Sequence, residues 1–355
     1  MSSICFLIGN IGNCGGTERV TNIIANELVN KNNDVYILNI YGGDSSYYDY
    51  NEKIKINKIL NENHIGKKNI FKVIFGIRSF VIENNIKNLV IVDSILSVYS
   101  IPALMFLKVN HICWEHFNFK NLLGLKLRYY ARKFAAISCD YVITLTERDN
   151  FLWNESLKKI NANIITISNP STFENINHEP SIDSKIVISI GRLTEIKGFD
   201  MLIKAWAQIY SKNKEWKLKI IGNGDSLNSL EQLAESLGVS NSIYFVGATN
   251  NISSYYEEAS FYCLSSRSEG LPMVLLEAQS YGLPIISFNC ETGPSDIVDK
   301  DFLVEAENID ELAKKIDYGM NMDESDYKKI SNNLKMNSVN YNINSVVEKW
   351  LVIIK

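Results

Sequence analysis

The feature that most constrains the fold is an alternation of short apolar runs with amphipathic segments, which occurs in both halves of the chain. The apolar runs have the length of buried strands, and between them apolar residues recur at helical spacing. Such alternation predicts right-handed βαβ units and parallel sheets, an α/β fold class. The runs of the first half are Ile4–Ile8, Val35–Ile40, Leu89–Val92, His111–Trp114, Tyr141–Leu145 and Ile164–Ile167. Those of the second half are Ile186–Ile190, Lys217–Ile221, Ile243–Val246, Phe261–Leu264 and Pro284–Phe288.

A polar stretch, Ser171–Ser184, separates the two patterns and directly follows Asn169-Pro170. Its content of Asn, Glu, Ser and Pro is typical of a linker. We therefore predict two Rossmann-like domains, 1–170 and 171–342, that face each other across a cleft. The length of 355 residues also favours two domains over one. In such sheets ligands bind at the carboxyl ends of the strands.

Composition excludes several classes of protein. With 46% apolar and 21% charged residues, the chain has the make-up of a soluble globular protein. A net charge of −4 argues against nucleic acid as a partner, because phosphate binding needs a clustered basic excess. The six cysteines form no C-x-x-C pair, which argues against a zinc site and a disulfide framework.

Targeting and membrane signals are weak in this sequence. The N-terminus lacks the positive region of a signal peptide, and its apolar run is too short. Leu89–Leu107 holds Asp93, three serines and Pro102, so it does not reach the roughly 20 apolar residues of a membrane span. We expect a cytoplasmic protein, at most peripheral to the inner face of the plasma membrane.

The first loop does not fit a nicotinamide enzyme. Residues 9–16 read G-x-x-G-x-x-G-G rather than G-x-G-x-x-G, and the next strand ends at 39–41 without an acid for a ribose. The chain also has no P-loop and no G-x-S-x-G nucleophile elbow. Gly15 and Gly16 instead precede a helix, with Thr17 as the predicted N-cap, and a helix N-terminus favours anions. Many strand–helix turns are glycine-rich, however, so the loop alone does not establish a ligand site.

Two cations follow the first strand of the second half. Arg192 and Lys197 lie at the carboxyl end of that strand, where arginine can bind phosphate in bidentate fashion and lysine supplies a point charge. Together they could neutralise a diphosphate. The alternative is two solvated surface charges, which is the better interpretation of either residue alone.

The most informative segment is 265–278, Ser-Ser-Arg-Ser-Glu-Gly-Leu-Pro-Met-Val-Leu-Leu-Glu-Ala. Pro272 is expected at the first helical position, after a tight turn at Gly270. Glu277 then falls in an otherwise apolar helix, where a carboxylate is costly unless it has a partner. It could bind sugar hydroxyls, or it could pair locally.

These motifs occur in an order that resembles the retaining glycosyltransferases of family 4, the glycosyl transferases group 1, which have the GT-B fold. The resemblance covers nearly the whole chain and is strongest over 186–297. It rests on the segments Gly15-Gly16-Thr17-Glu18, Gly191-Arg192, Lys197-Gly198, Gly222-Asn223-Gly224 and the Glu269…Glu277 E-x7-E motif. Residues 291–297, Glu-Thr-Gly-Pro-Ser-Asp-Ile, are similar to a stretch of bacterial members that build surface polysaccharides from UDP-sugars. The end of the chain, 343–355, resembles the family's last helix, which packs back on the N-terminal domain.

The resemblance implies a role for each matching residue. The N-terminal domain would bind the acceptor and the C-terminal domain the nucleotide sugar. His116, Glu269, Arg192 and Lys197 would be the catalytic residues. The donor would contact Gly16, Gly191, Arg192, Lys197, Gly222, Gly224, Val246, Glu269, Gly270, Leu271, Pro272, Met273 and Glu277. The acceptor would contact Gly15, Thr17, Glu18 and His116.

The resemblance also implies the reaction. It is transfer of a hexose or N-acetylhexosamine from a UDP-sugar to a lipid-linked or polysaccharide glycan, forming an alpha linkage in bacterial surface polysaccharide biosynthesis. The one D-x-D match, Asp299-Lys300-Asp301, is better explained as solvated charges, so we predict no metal and no other cofactor. A sugar-nucleotide-binding protein without catalysis is the alternative.

Two segments of the first half predict contact with an anionic membrane. Residues 117–137 carry Lys120, Lys126, Arg128, Arg132 and Lys133, no acid, and several aromatics. Residues 67–78 add further cations, Lys67, Lys68, Lys72 and Arg78, among apolar residues. Basic amphipathic helices with aromatics bind anionic bilayers. The alternative is a helix with a solvated cationic face and a face in the protein core.

Overall fold

The computed structural model describes residues 2–43, 45–62, 64–174 and 176–355, without the side chain of Lys67. The chain folds into two compact units. The first unit comprises Met1–Pro170 and Ile343–Lys355, and the second comprises Ser171–Asn342.

The first unit is built on a parallel sheet, with seven strands in the described part of the chain. They are β1 (Ser3–Ile8), β2 (Asp34–Asn39), β3 (Lys55–Lys58), β4 (Asn88–Val92), β5 (Asn110–Trp114), β6 (Tyr141–Thr144) and β7 (Asn163–Thr166). Their order across the sheet is β3-β2-β1-β4-β5-β6-β7. The central strands are buried because helices cover both faces of a parallel sheet. Helices α1 (Gly16–Asn30), α2 (Ile70–Glu83), α3 (Ser97–Leu104), α4 (Lys126–Ser138) and α5 (Glu147–Ser156) connect the strands.

The second unit repeats this architecture with six parallel strands in its described residues. They are β8 (Ile186–Ile190), β9 (Lys217–Ile221), β10 (Ile243–Gly247), β11 (Phe261–Leu264), β12 (Ile285–Asn289) and β13 (Leu303–Glu305), in the order β10-β9-β8-β11-β12-β13. The helices are α6 (Phe199–Tyr210), α7 (Leu227–Ser236), α8 (Ser253–Glu258), α9 (Met273–Ser280), α10 (Pro294–Ile297), α11 (Ile309–Met320) and α12 (Glu324–Ser338).

The strand order of each sheet reverses at one point. In the first sheet β1 lies between β2 and β4, and in the second β8 lies between β9 and β11. Connections on the two sides of such a point leave over opposite faces, so a crevice opens at the carboxyl ends of the two central strands. The loops after β1 and β4, and those after β8 and β11, therefore border the expected ligand crevice of each unit.

The last helix, α13 (Ile343–Ile353), belongs to the first unit. Trp350 is fully buried there, with its ring centroid 4.8 Å from that of Trp114 and 6.1 Å from that of Phe6. The Asn110 side-chain amide donates a hydrogen bond of 2.8 Å to the carbonyl of Ile353. These contacts complete the core on one side of the first sheet.

Several local expectations need correction. Gly15, not Thr17, is the N-cap of α1, and no side chain caps that end. Pro272 is likewise the N-cap of α9, one residue before the expected position. Two strands were not predicted from the sequence: β3, whose residues are largely exposed, and β13, which has only three residues.

Neither a spanning helix nor a metal cluster is seen in the described residues. No helix there is long and apolar enough to cross a bilayer. No group of three or more His, Cys, Asp and Glu residues within the described ranges is arranged to hold a metal ion.

Candidate functional site

In the second unit an ion pair bridges the loops after β8 and β11. Lys197 Nζ lies 2.7 Å from Glu269 Oε1, and that oxygen also accepts a hydrogen bond of 2.6 Å from Ser266 Oγ. The lysine side chain is 26% exposed and the glutamate side chain 9% exposed, so the pair is partly reachable from solvent. It brings a predicted cation and a predicted carboxylate together at the reversal point of the second sheet.

Arg192 lies in the same loop as Lys197. It is exposed and forms no ion pair with the residues that the structure describes. The loop is held by backbone hydrogen bonds from Gly191 N to Ile221 O, 3.0 Å, and from Leu193 N to Asn223 O, 2.9 Å. Arg192 is therefore an available cation on an anchored loop.

Gly222 and Gly224, which follow β9, lie where a side chain would collide with the backbone of a neighbouring loop. Gly222 has φ of 140°, and a Cβ there would overlap the carbonyl oxygen of Gly191. A Cβ at Gly224 would overlap the carbonyl oxygen of Leu193. Absence of side chains thus lets the loops after β8 and β9 lie against each other. Val246 is next to Gly247, whose carbonyl accepts a hydrogen bond of 2.9 Å from Gly222 N.

Glu277 is buried in the second turn of α9, and hydroxyl groups satisfy its carboxylate. Thr172 Oγ1 donates to Glu277 Oε1 and Tyr256 OH donates to Oε2, each at 2.8 Å. Tyr256 is itself held by stacking on Tyr281, with ring centroids 5.2 Å apart. The carboxylate is therefore fixed in orientation by residues that sequence reasoning missed, because Thr172 and Tyr256 are distant in the chain.

The turn before α9, residues 270–273, is supported by the segment that follows β12. Thr292 Oγ1 donates a hydrogen bond of 2.7 Å to the carbonyl of Glu269. Gly293 has φ of 98°, and a side chain there would meet the Pro272 ring and the Gly270 carbonyl. This support fixes the amide groups at the start of α9, where a helix N-terminus favours anions.

A second cation near this turn, Arg267, is engaged in an ion pair. Arg267 Nη1 and Nη2 donate to the two carboxylate oxygens of Asp200, at 2.8 and 2.9 Å. This bidentate pair lowers the pKa of Asp200, chiefly through the hydrogen bonds from Arg267. Arg267 is already engaged with α6, in contrast to Arg192.

In the first unit three of the four predicted acceptor contacts, Gly15, Thr17 and Glu18, lie at the start of α1. A Cβ at Gly16 would meet no atom within 4 Å, whereas one at Gly15 would overlap the carboxylate of Glu18. The side chains of Thr17 and Glu18 line a cavity of about 440 Å³ at the carboxyl ends of β1 and β4.

His116 follows β5 and is buried against Trp114, with ring centroids 4.4 Å apart. Burial lowers the pKa of His116 to about 4, a shift that the nearby Glu115 charge opposes without cancelling. Its Nε2 has no hydrogen-bond partner within the described ranges. The imidazole is therefore neutral at physiological pH, and one of its nitrogens is uncommitted.

Behind His116 lies a buried ionic cluster that sequence reasoning missed. Glu115 Oε2 accepts a hydrogen bond of 2.9 Å from Arg132 Nε and another from Ser94 Oγ. Arg128 Nη1 lies 2.6 Å from Asp93 Oδ1 and 3.8 Å from Glu115 Oε1. Burial favours a raised pKa for Glu115, but Arg132 and Arg128 outweigh it, so this pKa lies below its usual range. Burial and the Glu115 charge raise the pKa of Asp93 to about 6.

The expectation of a cationic surface over 117–137 needs correction, because the buried cluster contains two of its cations. Helix α4 begins at Lys126, and Arg128 and Arg132 point into the core instead of toward solvent. On α2, Arg78 donates hydrogen bonds of 2.9 Å to the carbonyls of Ala103 and Met105. The cations of 117–137 that remain exposed are Lys120, Lys126 and Lys133. The side chain of Lys67 lies outside the described residues.

Comparison with known proteins identifies the family. The family model for glycosyl transferases group 1 matches residues 172–336. An uncharacterized glycosyltransferase of Haemophilus influenzae is 38% identical over 354 residues, which cover 99% of each chain. An alpha-1,4-N-acetyl-D-galactosaminyltransferase of Campylobacter jejuni is 28% identical over 364 residues, which cover 100% of this chain and 98% of the relative. Its name gives the acceptor as GalNAc-alpha-(1->4)-GalNAc-alpha-(1->3)-diNAcBac-PP-undecaprenol.

Solved structures agree on the fold. The structure of Anabaena HepE in complex with UDP and glucose superposes with a TM-score of 0.80 at 17% identity, over 99% of this chain and 98% of HepE. This likeness, together with the two parallel sheets, confirms the predicted α/β, GT-B fold. The chain belongs to the glycosyl transferases group 1 family and is a glycosyltransferase with the GT-B fold.

Proposed function

We propose that this enzyme transfers a hexose or N-acetylhexosamine from a UDP-sugar to a glycan acceptor with retention of configuration, in bacterial surface polysaccharide biosynthesis. The observation that carries the proposal is the Lys197–Glu269 pair at the reversal point of the second sheet, with the exposed Arg192 in the same loop as Lys197. The binding of UDP and glucose by HepE, which has the same fold, supports a UDP-sugar as donor.

The chemistry of the leaving group fits this arrangement. Cleavage of a glycosyl–phosphate bond develops negative charge on the departing diphosphate. Fixed cations and helix-end amides stabilise such charge without reorganising, and one such group is worth about 2.7–4 kcal/mol in analogous sites. We assign the diphosphate to Arg192, Lys197 and the backbone N–H groups of Gly270, Leu271 and Met273, and the ribose hydroxyls to Glu277. These groups would stabilise the leaving diphosphate without a metal ion.

The proposed roles of Glu269 and His116 follow from their charge states. Glu269 is anchored by Lys197 and Ser266, so it can face the donor sugar with a fixed carboxylate oxygen. His116 is neutral, because its pKa is about 4. It would therefore hydrogen-bond the transferred sugar as an uncharged group and would not supply a positive charge. The acceptor hydroxyl proton would pass to the leaving phosphate.

We further propose that the acceptor is lipid-linked and that the first unit contacts an anionic membrane. Helices α2 and α4 both pack on α3 and expose apolar side chains. Phe71 is 71% exposed and Phe106, just after α3, is 94% exposed. Other exposed apolar residues of these helices and their adjoining loops include Phe75, Met105, Leu125, Leu127, Tyr130 and Phe134. Lys68, Lys72, Lys126 and Lys133 supply cations beside them, a combination typical of peripheral membrane binding. The name of the Campylobacter relative, which includes an undecaprenol-linked acceptor, supports this interpretation.

The decisive experiment is a screen of UDP- and GDP-sugars with the purified full chain, reading released nucleotide. We expect release with a UDP-sugar and its loss in Lys197→Ala and Glu277→Ala. Proton coupling constants of the product would then report its anomeric configuration. Full activity of the double variant would overturn the proposal. Donor binding without release across varied acceptors would favour the alternative of a sugar-nucleotide-binding protein without catalysis.

A further inference from the structure

The first unit contains a second cavity, which lies at the opposite edge of the sheet from the carboxyl ends of the strands. We call it the amino-edge cavity, because Lys87, Asn110 and Asp140 in its wall lie at or just before the first residues of β4, β5 and β6. Its volume of about 730 Å³ is within the range of roughly 300–1,000 Å³ typical of small-molecule sites. No residue assigned above to the donor or the acceptor is among its described lining residues. It is therefore a candidate binding site separate from the reaction centre.

The wall of the amino-edge cavity combines apolar and cationic side chains. The apolar residues come from α3 and from the segment that follows this helix, and they are Ile101, Leu104, Met105, Leu107 and Val109. The charged residues among the described lining residues are three lysines, Lys87, Lys108 and Lys355, and one acid, Asp140. Such a wall suits a ligand that carries an anionic group next to an apolar part.

The acid of this wall is already paired. Asp140 Oδ1 lies 3.7 Å from Lys355 Nζ, and Asp140 Oδ2 accepts a hydrogen bond of 2.8 Å from the amide of His111. Lys87 and Lys108 are exposed and form no ion pair with the residues that the structure describes. Two ammonium groups therefore remain available for an anion such as phosphate, which lysine binds as a point charge.

The carboxyl ends of α3 and α4 also lie at this cavity, since their last residues, Leu104 and Ser138, line it. The carboxyl end of a helix carries partial negative charge and disfavours an anion. Both ends are capped, however. Arg78 Nη1 donates hydrogen bonds of 2.9 Å to two carbonyls at the end of α3. At the end of α4 the amide of Asn161 donates a hydrogen bond of 2.9 Å to the Ala136 carbonyl. Because these carbonyls are satisfied and Arg78 adds a positive charge, the helix ends oppose an anion only weakly.

Two buried polar side chains of the wall have unpartnered atoms. Asn110 and His111 are each 4% exposed, and Asn110 Oδ1 and His111 Nε2 have no hydrogen-bond partner within the described ranges. The amide nitrogen of Asn110 is engaged, since it donates to Asn88 Oδ1 and to the Ile353 carbonyl, each at 2.8 Å. Buried polar atoms normally have a partner, so Asn110 Oδ1 calls for a donor such as a hydroxyl group.

The turn beside the cavity exposes an aromatic side chain in an unfavourable backbone conformation. Residues 104–107 form a type II turn, in which Met105 has φ of −52° and ψ of 128°, Phe106 has φ of 65°, and Leu107 N donates a hydrogen bond of 2.9 Å to Leu104 O. The third position of such a turn favours glycine. Phe106 occupies it instead, and its side chain is almost fully exposed. Packing within this unit therefore does not explain the phenylalanine, whereas insertion into a bilayer does.

We propose that the amino-edge cavity binds the headgroup of an anionic phospholipid, with Phe106 inserted into the bilayer beside it. Lys87 and Lys108 bind the phosphate, a headgroup hydroxyl donates to Asn110 Oδ1, and the apolar wall contacts the part of the lipid next to the headgroup. This site rests on the proposed function, since it adds a defined lipid contact to the proposed membrane contact of the first unit. Attachment then depends on the headgroup and saturates, which attraction to surface charge alone does not.

Monomeric short-chain lipids test the site without a bilayer. The purified full chain would be titrated by ligand-observed NMR with dihexanoyl phosphatidylglycerol, which carries the anionic phosphate, hydroxyl groups and apolar chains. Dihexanoyl phosphatidylcholine is the zwitterionic counterpart, and glycerol phosphate has the phosphate and hydroxyls without the chains. We expect phosphatidylglycerol to bind, and each of the other two to bind about tenfold more weakly or worse.

Variants of the wall test where the lipid binds. Lys87→Gln with Lys108→Gln removes two exposed cations and should weaken phosphatidylglycerol binding by about fivefold for each. Lys53→Gln with Lys159→Gln is the matched control, because these exposed lysines precede the two edge strands, β3 and β7, and do not line the cavity. Ser138→Phe introduces a ring at the wall without a change of charge and should also weaken binding.

Vesicles test the role of Phe106. Phe106→Gly should lose no stability in urea unfolding, because glycine adopts positive φ without strain. It should nevertheless sediment less with phosphatidylcholine vesicles that contain phosphatidylglycerol, and it should bind the monomeric lipid like the unmodified protein.

Four results would overturn the assignment of this lipid site. They are that phosphatidylglycerol does not bind, that phosphatidylcholine binds as tightly, that glycerol phosphate binds as tightly, or that the Lys87 and Lys108 variant binds like the control. Equal binding of glycerol phosphate would identify a site for a soluble phosphate ester. If Phe71→Ser still lowers vesicle sedimentation in these cases, the membrane contact stands and only the lipid site fails. Phosphatidylglycerol binding without nucleotide release from any sugar nucleotide gives the reverse result, in which the lipid site stands and the proposed reaction fails.

Discussion

Replacement of Lys197 by methionine tests the proposed donor site most directly. Methionine keeps the length of the side chain but removes the ammonium group that lies 2.7 Å from Glu269 Oε1. Because the lysine side chain is 26% exposed, solvent screens the pair, and we expect a loss of only about 1 kcal/mol in stability. Loss of charge stabilisation at the leaving diphosphate is larger, about 2.7–4 kcal/mol, so turnover should fall by about 10²–10³-fold.

The assay is nucleotide release at saturating UDP-sugar, with urea unfolding of the same samples. Arg267→Met is the matched control, because it also removes a cation near the turn before α9. Its partner Asp200 lies on α6, so it should lose about 1–2 kcal/mol in stability and change turnover less than about threefold. If Lys197→Met turns over within about threefold of the unmodified enzyme, or if Arg267→Met loses as much, the assignment of the diphosphate is refuted.

Four further predictions concern other parts of the molecule. His116→Gln should lower turnover by about 10²-fold while leaving UDP affinity unchanged, which isothermal titration would check. Added EDTA should leave turnover unchanged. A loss of turnover in EDTA that added Mg²⁺ restores would contradict this prediction. The double variant Phe71→Ser, Phe106→Ser should sediment less with anionic vesicles. Phe151→Ser, which removes an exposed aromatic side chain from α5, is the control. Burial lowers the pKa of His111 from 6.5 to about 4. As the pH falls, the imidazole is therefore protonated in the unfolded chain before it is protonated in the folded protein. Between about pH 7.5 and pH 5 the unmodified protein should therefore lose about 2 kcal/mol relative to His111→Gln, measured by urea unfolding at both pH values.

The elements that could be predicted were those with a strong hydrophobic pattern in the sequence. The predicted GT-B fold is confirmed, and the buried strands lie close to the apolar runs because a strand covered on both faces needs continuous apolar residues. The strand β3 gave no such signal. Its sequence Lys-Ile-Asn-Lys is mostly exposed, and pairing with β2 at the edge of the sheet, not burial, makes it a strand.

The candidate site could be predicted only where its residues are close in sequence or carried by a family motif. The E-x7-E motif pointed to Glu269 and Glu277, but not to the hydroxyls of Thr172 and Tyr256 that hold Glu277, which are contributed by other elements. Segment 117–137 contains no acid, so its arginines looked solvent-facing. Their acids come from the ends of β4 and β5, and only the tertiary fold brings Asp93 to Arg128.

The position of α13 has a consequence for how the protein is made. Residues 171–342 form a compact unit from one continuous stretch of chain, so this unit can fold as soon as it leaves the ribosome. The first unit is synthesised earlier but lacks part of its core until Trp350 reaches Trp114 and Phe6. Loss of a buried tryptophan of this kind typically costs about 3–5 kcal/mol. The first half to be translated is therefore the last to be completed, and the apolar surface that α13 covers stays exposed to solvent until that helix has been synthesised.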